Sequence, residues 1–280
     1  MMMLSALSLT PAAQRWFQET HTAAILHLFD HACNLINEQG EILSLVTEKI
    51  GPGPFAVVLP LETPFTEILS ANSPVSVNGS VLALGAARID TAAAHMWQPQ
   101  PDWAGLRRRE KRVGSFYQLL VGARPVEVGP RSAVEQAVQS KLEDAAGRLF
   151  PAIAAYDLDG CRAAARDLAG VGIGLTPSGD DFLMGVIYAL WATRSVDERD
   201  PIVRQIVAAA VPRTTSLSAA WLRAAAGGEA VLPWHELVNA LKKTDITPVW
   251  AAVRRILSIG HSSGADALAG FTAGIKELLG

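Results

Sequence analysis

The sequence changes its grammar once, and that change limits the architecture more than any single motif. From about residue 21 to 127 it runs as short apolar segments, "ACNLI", "EILSLV", "FAVVLP", "SVLALGAARID" and "YQLLVGARPVEV", separated by "NEQG", "GPGP" and "VNGS". Segments of four to eight β-branched or alternating residues between turn formers read as strands. No long helical pattern divides them, so an antiparallel β-rich sheet or small barrel is expected rather than a dinucleotide fold. Asn78-Gly79 between "PVSV" and "SVLAL" reads as a two-residue hairpin turn. A helix near 12–28 is expected to pack on this sheet.

Beyond Gly129-Pro130 the spacing of apolar residues becomes helical, as in "RSAVEQAVQSKLEDAAGRLF" and "DLDGCRAAARDLAG". Further helices are expected near 179–194, 200–211, 217–227, 234–243, 248–258 and 264–279. Asp200-Pro201 and Thr247-Pro248 each place a capping side chain before a proline, the usual punctuation of a helix start. The expected fold class is therefore α+β. It has a β-rich domain over residues 1–128 with an N-terminal helix, and an all-helical domain over 129–280.

Half of the 280 residues are hydrophobic and 18% are charged, yet apolar runs such as Val186–Ala192 are far too short to span a bilayer. The opening "MMMLSALSLTPAAQRW" has no Lys or Arg ahead of its apolar stretch, so no secretory signal is expected and the chain reads as cytoplasmic. Cys33 and Cys161 sit in unrelated apolar contexts and give no metal-ligand spacing. A net charge of −3 does not favour nucleic acid, and "RRREKR", Arg107 to Arg112, reads as a solvated turn.

Within the helical half one pattern occurs twice. "SGDDFLMGV", Ser178 to Val186, aligns with "SGADALAGF", Ser263 to Phe271, each with a glycine shortly before it, Gly174 or Gly260. Both copies open an expected helix, which implies two equivalent helix starts facing a common space. Ser178 with Asp181, and Ser263 with Asp266, fit a short capping box. Gly185 and Gly270 would let neighbouring helices approach closely. Asp180 aligns with Ala265 and is not needed for capping, so it reads as a ligand-binding or catalytic carboxylate.

Around the first copy, Gly170, Gly172 and Gly174 free the backbone for positive φ and close approach to a ligand. Thr176, Ser178 and the helix-start amides are donors suited to an anion. Asp180 and Asp181 would repel that anion unless the ligand also brings N–H groups or Mg²⁺ bridges the two. "RTTSLSAAWLRAAAGGE" supplies a hydroxyl cluster that reads first as helix capping. Within it Arg213, Thr215, Ser216 and Arg223 are candidates for binding a substrate carboxylate. His261, inside the second copy, is a candidate general acid. "GVGIGL" follows a helix, and no G-K-[ST] or G-x-S-x-G is present, which excludes dinucleotide, P-loop and nucleophile-elbow sites.

"GIGLTPSGDDFLMG", "TTSLSAAWLRAAAGGEA", "SIGHSSGADALAGFTAGI" and "NLINEQGEILSLVTEKIGPGPFAVVLP" together resemble the AllH family of bacterial proteins. The resemblance implies a subunit of a carbamoyl- or carboxyl-handling enzyme. One family member is implicated in oxamate carbamoyltransferase, which converts oxalurate and phosphate to oxamate and carbamoyl phosphate in allantoin breakdown. That member carries histidine where this chain has Gly179, which implies a different substrate here. The expected partners are a small anionic substrate and other protein subunits, with no nucleic acid and no membrane. Two rival readings stand beside this one: a non-catalytic subunit, and a hydrolase holding Mg²⁺ on Asp180, Asp181 and Asp266.

Overall fold

A computed structural model describes residues 2–109, 114 and 133–279, with side chains from residue 136 in the second stretch. The chain forms two compact units, one of Met1–Pro99 with Glu229–Leu232 and the other of Gln100–Gly228 with Pro233–Gly280. The expected boundary near 128 and the strand segment "YQLLVGARPVEV" lie outside the described residues.

The first unit contains a four-stranded and a six-stranded sheet. In the order of the chain its strands are β1 Met2–Ser5, β2 Ser8–Leu9, β3 Ala23–Leu28, β4 Ala32–Asn37, β5 Ile42–Thr47, β6 Ala56–Leu59, β7 Val75–Asn78, β8 Val81–Leu84, β9 Ala87–Asp90 and β10 His95–Met96. The sheets run β1-β9-β8-β7 and β10-β2-β6-β5-β4-β3. Antiparallel pairing joins β3–β4–β5, β2–β6 and β7–β8–β9. The β1–β9, β10–β2 and β5–β6 pairs are parallel, so both sheets are mixed. Every residue of β5 and β6 is buried, the pattern of strands covered on both faces. Leu35, Leu43, Leu45, Val57, Leu82 and Leu84 lie in one core with Trp16 and Phe17.

The first helix, α1, is shorter than expected. It covers Pro11–Glu19 and ends at Thr20 in extended backbone, so the second half of the apolar stretch becomes β3 instead. Buried Thr10 caps it, its hydroxyl accepting from the Ala13 N–H at 3.1 Å. Thr10→Ala is expected to cost about 1–2 kcal/mol in a urea titration, because the cap is buried and water cannot replace it. The hairpin turn also sits one residue later than expected. Asn78 pairs with Val81, which leaves Gly79-Ser80 as the loop with Gly79 at φ +59°. Glycine at the first central position suits a hairpin turn that needs positive φ there alone.

The second unit is helical among its described residues: α3 Trp103–Arg107, α4 Ala133–Ala154, α5 Leu158–Leu168, α6 Ser178–Thr193, α7 Val196–Ala210, α8 Ser216–Ala226, α9 Leu232–Leu241, α10 Thr247–Leu257 and α11 Ser263–Leu279. One further short helix, α2 Phe65–Ile68, lies in the first unit. Nearly all of α6 is buried, as expected of a helix apolar all round. Its main partner is α11. Trp103, Tyr188, Trp234 and Phe271 form a continuous aromatic ladder with centroid separations of 5.5, 4.9 and 5.2 Å. No helix of the described residues is long and apolar enough to cross a membrane.

Two helix starts differ from the sequence expectation. α7 begins at Val196, where Glu198 accepts from the Ser195 N–H and hydroxyl at 3.1 and 2.7 Å, and Pro201 lies inside the helix rather than at its start. The Ser195…Glu198 box outweighs the Asp-Pro signal because it satisfies orphan amides one turn earlier. At α10 the Thr247 N–H donates to Asp245 at 2.9 Å, so Asp245 rather than Thr247 supplies the capping oxygen. Of the basic run, Arg107 donates to the Arg194 carbonyl at 3.1 Å, while Arg108 and Arg109 are exposed. Residues 110–112 lie outside the described residues.

Candidate site at paired helix starts

The sequence echo is a repeated helical hairpin. α5 and α10 are each eleven residues long, and each turns through a positive-φ glycine into the next helix, Gly172 at +122° and Gly260 at +61°. Gly172 abuts Ser178, and Gly260 abuts Ser263, so the geometric counterpart of Gly260 is Gly172 rather than the expected Gly174. The Gly179 N–H donates to the Val171 carbonyl at 2.8 Å, and the Gly264 N–H to the Ile259 carbonyl at 3.1 Å. A Cβ on Gly179 would stand 2.0 Å from the Leu168 oxygen, and one on Gly264 1.8 Å from the Ile256 oxygen. A side chain at 179 therefore demands a different approach of loop to helix.

The two second helices cross in backbone contact. A Cβ on Gly185 would stand 1.9 Å from the Ala267 oxygen, and one on Gly270 2.0 Å from the Phe182 oxygen. Those four residues are mutual counterparts in the echo, so the contact is reciprocal. It brings the first turns of α6 and α11 together, as the paired motif implied.

The two aspartates of α6 stand in different surroundings. No side chain caps α6, whose N-cap position is Pro177, and Asp180 and Asp181 direct their own N–H groups to the Pro177 oxygen. Asp181 therefore is not a cap. Its carboxyl lies within hydrogen-bond reach of the Ser263 and Thr176 hydroxyls, which are 2.8 Å from each other. Its Oδ2 is buried without a hydrogen-bond partner. Burial, with smaller contributions from the Asp266 and Asp180 charges, pushes its pKa up to about 8.

Asp180 is the opposite case. It is 1% exposed, and its oxygens accept from the Gly170 N–H at 3.1 Å, the Ser218 hydroxyl at 2.9 Å and the Thr214 hydroxyl. Burial raises its pKa, while those three donors pull it back. The side chain joins α6 to the loop after α5 and to the start of α8. Thr214 and Ser218 belong to the hydroxyl cluster that the sequence singles out beside this motif. The hydroxyl cluster was visible, but its tertiary acceptor was not.

The remaining candidates divide into those held at the helix starts and those apart from them. Thr215 caps α8, accepting from the Ser218 N–H at 3.0 Å, and donates to the Leu175 carbonyl at 2.6 Å, which pins the longer loop. Ser178 sits against Gly172, and Gly174 (φ +101°) lies in open space. Ser216, Arg213, Arg223 and His261 are exposed. A Cβ on Gly170 would stand 2.6 Å from the Arg213 oxygen, so the backbone at Arg213 closes on the loop. Several helix-start amides expected to face an anion are already turned to Val171, Pro177 and Ile259. Among the described residues no group of three or more His, Cys, Asp or Glu side chains is placed to hold a metal ion, so Asp180, Asp181 and Asp266 do not form the cluster that a Mg²⁺-dependent hydrolase would use.

The fold and site define a two-unit α+β protein with a carboxyl and hydroxyl cluster where two equivalent helices begin. A family model described as oxamate carbamoyltransferase subunit AllH matches residues 168–275, and one described as the AllH family N-terminal domain matches residues 5–96. The chain belongs to the AllH family. No solved structure matches it.

Proposed function

We propose that the chain is a subunit of a carbamoyl-group-transferring enzyme and binds a small ligand carrying an amide or carbamoyl end at the starts of α6 and α11. The observation that carries this reading is the placement of Asp181 beside Thr176 and Ser263, from the loop and the opposite helix start. A cluster of oxygen acceptors with so many amides turned away suits a ligand that supplies its own N–H groups. Under this reading the transfer breaks a carbamoyl C–N bond, forms a C–O bond to phosphate and passes the phosphate proton to the departing nitrogen. Positioning and electrostatics can drive such a step without a covalent nucleophile. Arg213 is the candidate for the anionic end of the ligand, since its backbone borders the loop at Gly170.

Calorimetry with oxamate, phosphate and carbamoyl phosphate tests the reading on the full chain and on the complex purified from its host. Heat of binding is expected with oxamate or carbamoyl phosphate. Absence of binding by both preparations would sink the proposal.

A second reading, a non-catalytic subunit, is favoured by one observation. Ile173 is 81% exposed on the loop that has five residues between Gly172 and Ser178, where the equivalent loop has two between Gly260 and Ser263. Its large apolar side chain suits contact with a further subunit.

A further inference from the structure

We propose that the loop from Gly172 to Pro177 is a gate over Asp181, latched by the contact between the Thr176 and Ser263 hydroxyls, and that a ligand reaches the Asp181 carboxyl only when the gate opens. What passes the gate is taken from the binding reading above, on which this inference rests, while the gate itself stands on the geometry.

A buried oxygen without a donor marks the place. Asp181 is 3% exposed, and its Oδ2 is buried with no hydrogen-bond partner. A buried acceptor left unpaired carries its full desolvation cost, so such groups are rare in folded proteins. In the observed conformation the oxygen is shut off from solvent, and a wall must move before any donor can arrive.

The helices around it are not free to part. α6 and α11 meet backbone to backbone at Gly185 and Gly270. The turn ahead of α11 is short and closed, with the Gly264 N–H donating to the Ile259 carbonyl at 3.1 Å and the Asp266 N–H to the Ser262 carbonyl at 2.9 Å. Ser263 therefore stands on a fixed side.

The loop ahead of α6 is different. Among the described residues, no backbone–backbone hydrogen bond is given or taken by residues 172–176. Ile173 is 81% and Leu175 38% exposed, so lifting the loop uncovers little apolar surface. Gly172 at φ +122° and Gly174 at φ +101° supply the hinge, because glycine crosses those backbone regions without strain. Hydroxyls hold the loop down: Thr215 donates to the Leu175 carbonyl at 2.6 Å, Thr176 lies 2.8 Å from Ser263, and Thr176 also reaches Asp181. A segment fastened by so few contacts opens locally while the fold persists. Opening lifts Thr176 away from Asp181 and Ser263. A primary amide carries two N–H groups, one to replace the Thr176 hydroxyl and one for Oδ2.

A reversible lock tests the gate. In the double variant T176C/S263C of the full chain, oxidation is expected to join the two side chains, which mass spectrometry reads, while Cys33 and Cys161 are buried and free. Failure to crosslink would show that the loop is not held at Ser263, and the latch falls. In calorimetry with oxamate the reduced variant is expected to bind and the oxidised variant to lose binding, with recovery on reduction, because the lock removes the competent population. Equal binding by both forms overturns the gate.

A second readout needs no ligand. The ¹³C-labelled methyls of Ile173 and Leu175 are expected to show microsecond-to-millisecond exchange in relaxation dispersion of the wild type, and to lose it in the oxidised variant. Flat dispersion in the wild type overturns the gate, whatever binds. If the exchange is seen while oxamate binds neither the wild type nor the reduced variant, the gate stands and the carbamoyl reading falls.

Discussion

Asp180→Ala is expected to lower the unfolding free energy by about 3–5 kcal/mol, measured by urea denaturation. The carboxylate is 1% exposed and accepts from three donors on two segments: the Gly170 N–H after α5, and the Thr214 and Ser218 hydroxyls at the start of α8. Alanine strands all three. A buried donor without an acceptor costs about 1–3 kcal/mol, and the two hydroxyls can recover part of this by rotating. The Gly170 N–H cannot rotate, since its residue is fixed at φ +71° against the Arg213 carbonyl. Asp180→Asn is the milder change, because its amide oxygen can still accept from Gly170 while its NH₂ meets the hydroxyl oxygens. A loss below about 1 kcal/mol in Asp180→Ala would show that the loop after α5 and the start of α8 are not held to α6 through this side chain.

The capping role read for Asp181 from sequence is not the one it has in the structure, and the reason is physical. Ser-x-x-Asp is a local pattern, so it suggests a local use, reciprocal capping of one helix start. At α6 the local need is met by backbone: Pro177 accepts from Asp180 and Asp181, and Val171 from Gly179. The side chains are thereby free for partners 34 to 87 residues away in the chain, Thr214 and Ser218 for Asp180 and Ser263 for Thr176. No short window of sequence contains both ends of such contacts.

What was legible follows the same division. The β-rich first half and the helical second half are periodicity signals, carried by every residue of a segment, and the α+β class emerged from them. The repeat was legible because Ser, Gly, Asp, Leu and Gly recur at fixed spacing, and each glycine has a backbone neighbour that tolerates nothing larger. Boundaries were less legible. No Gly or Pro separates α1 from β3, and the break at Thr20–Thr22 is made tertiary by Glu38, which accepts from the N–H groups of His21 and Thr22 at 2.9 Å each. Strand order was illegible altogether, since the parallel β5–β6 pairing leaves no mark that differs from an antiparallel one in segments so uniformly apolar.

Gly185→Ala and Gly270→Ala are each expected to destabilise the protein by about 3 kcal/mol or more, at the upper end of overpacking effects. The added methyl would lie 1.9 Å from the Ala267 oxygen in the first case and 2.0 Å from the Phe182 oxygen in the second. Both obstacles are backbone carbonyls inside helices, so no rotamer change relieves the clash, and α6 and α11 must separate. Separation would also pull Thr176 from Ser263 and open the space around Asp181, so the Asp181 pKa, raised chiefly by burial, should move down in any variant that still folds. Gly147→Ala supplies the contrast. That glycine lies in the middle of α4 with nothing within 4 Å of its added Cβ, so alanine there should stabilise by up to about 1 kcal/mol through helix propensity alone. The same substitution thus has opposite signs at two kinds of helical glycine. If Gly185→Ala and Gly147→Ala shift the denaturation midpoint alike, close packing of α6 on α11 is not what the repeated glycine provides.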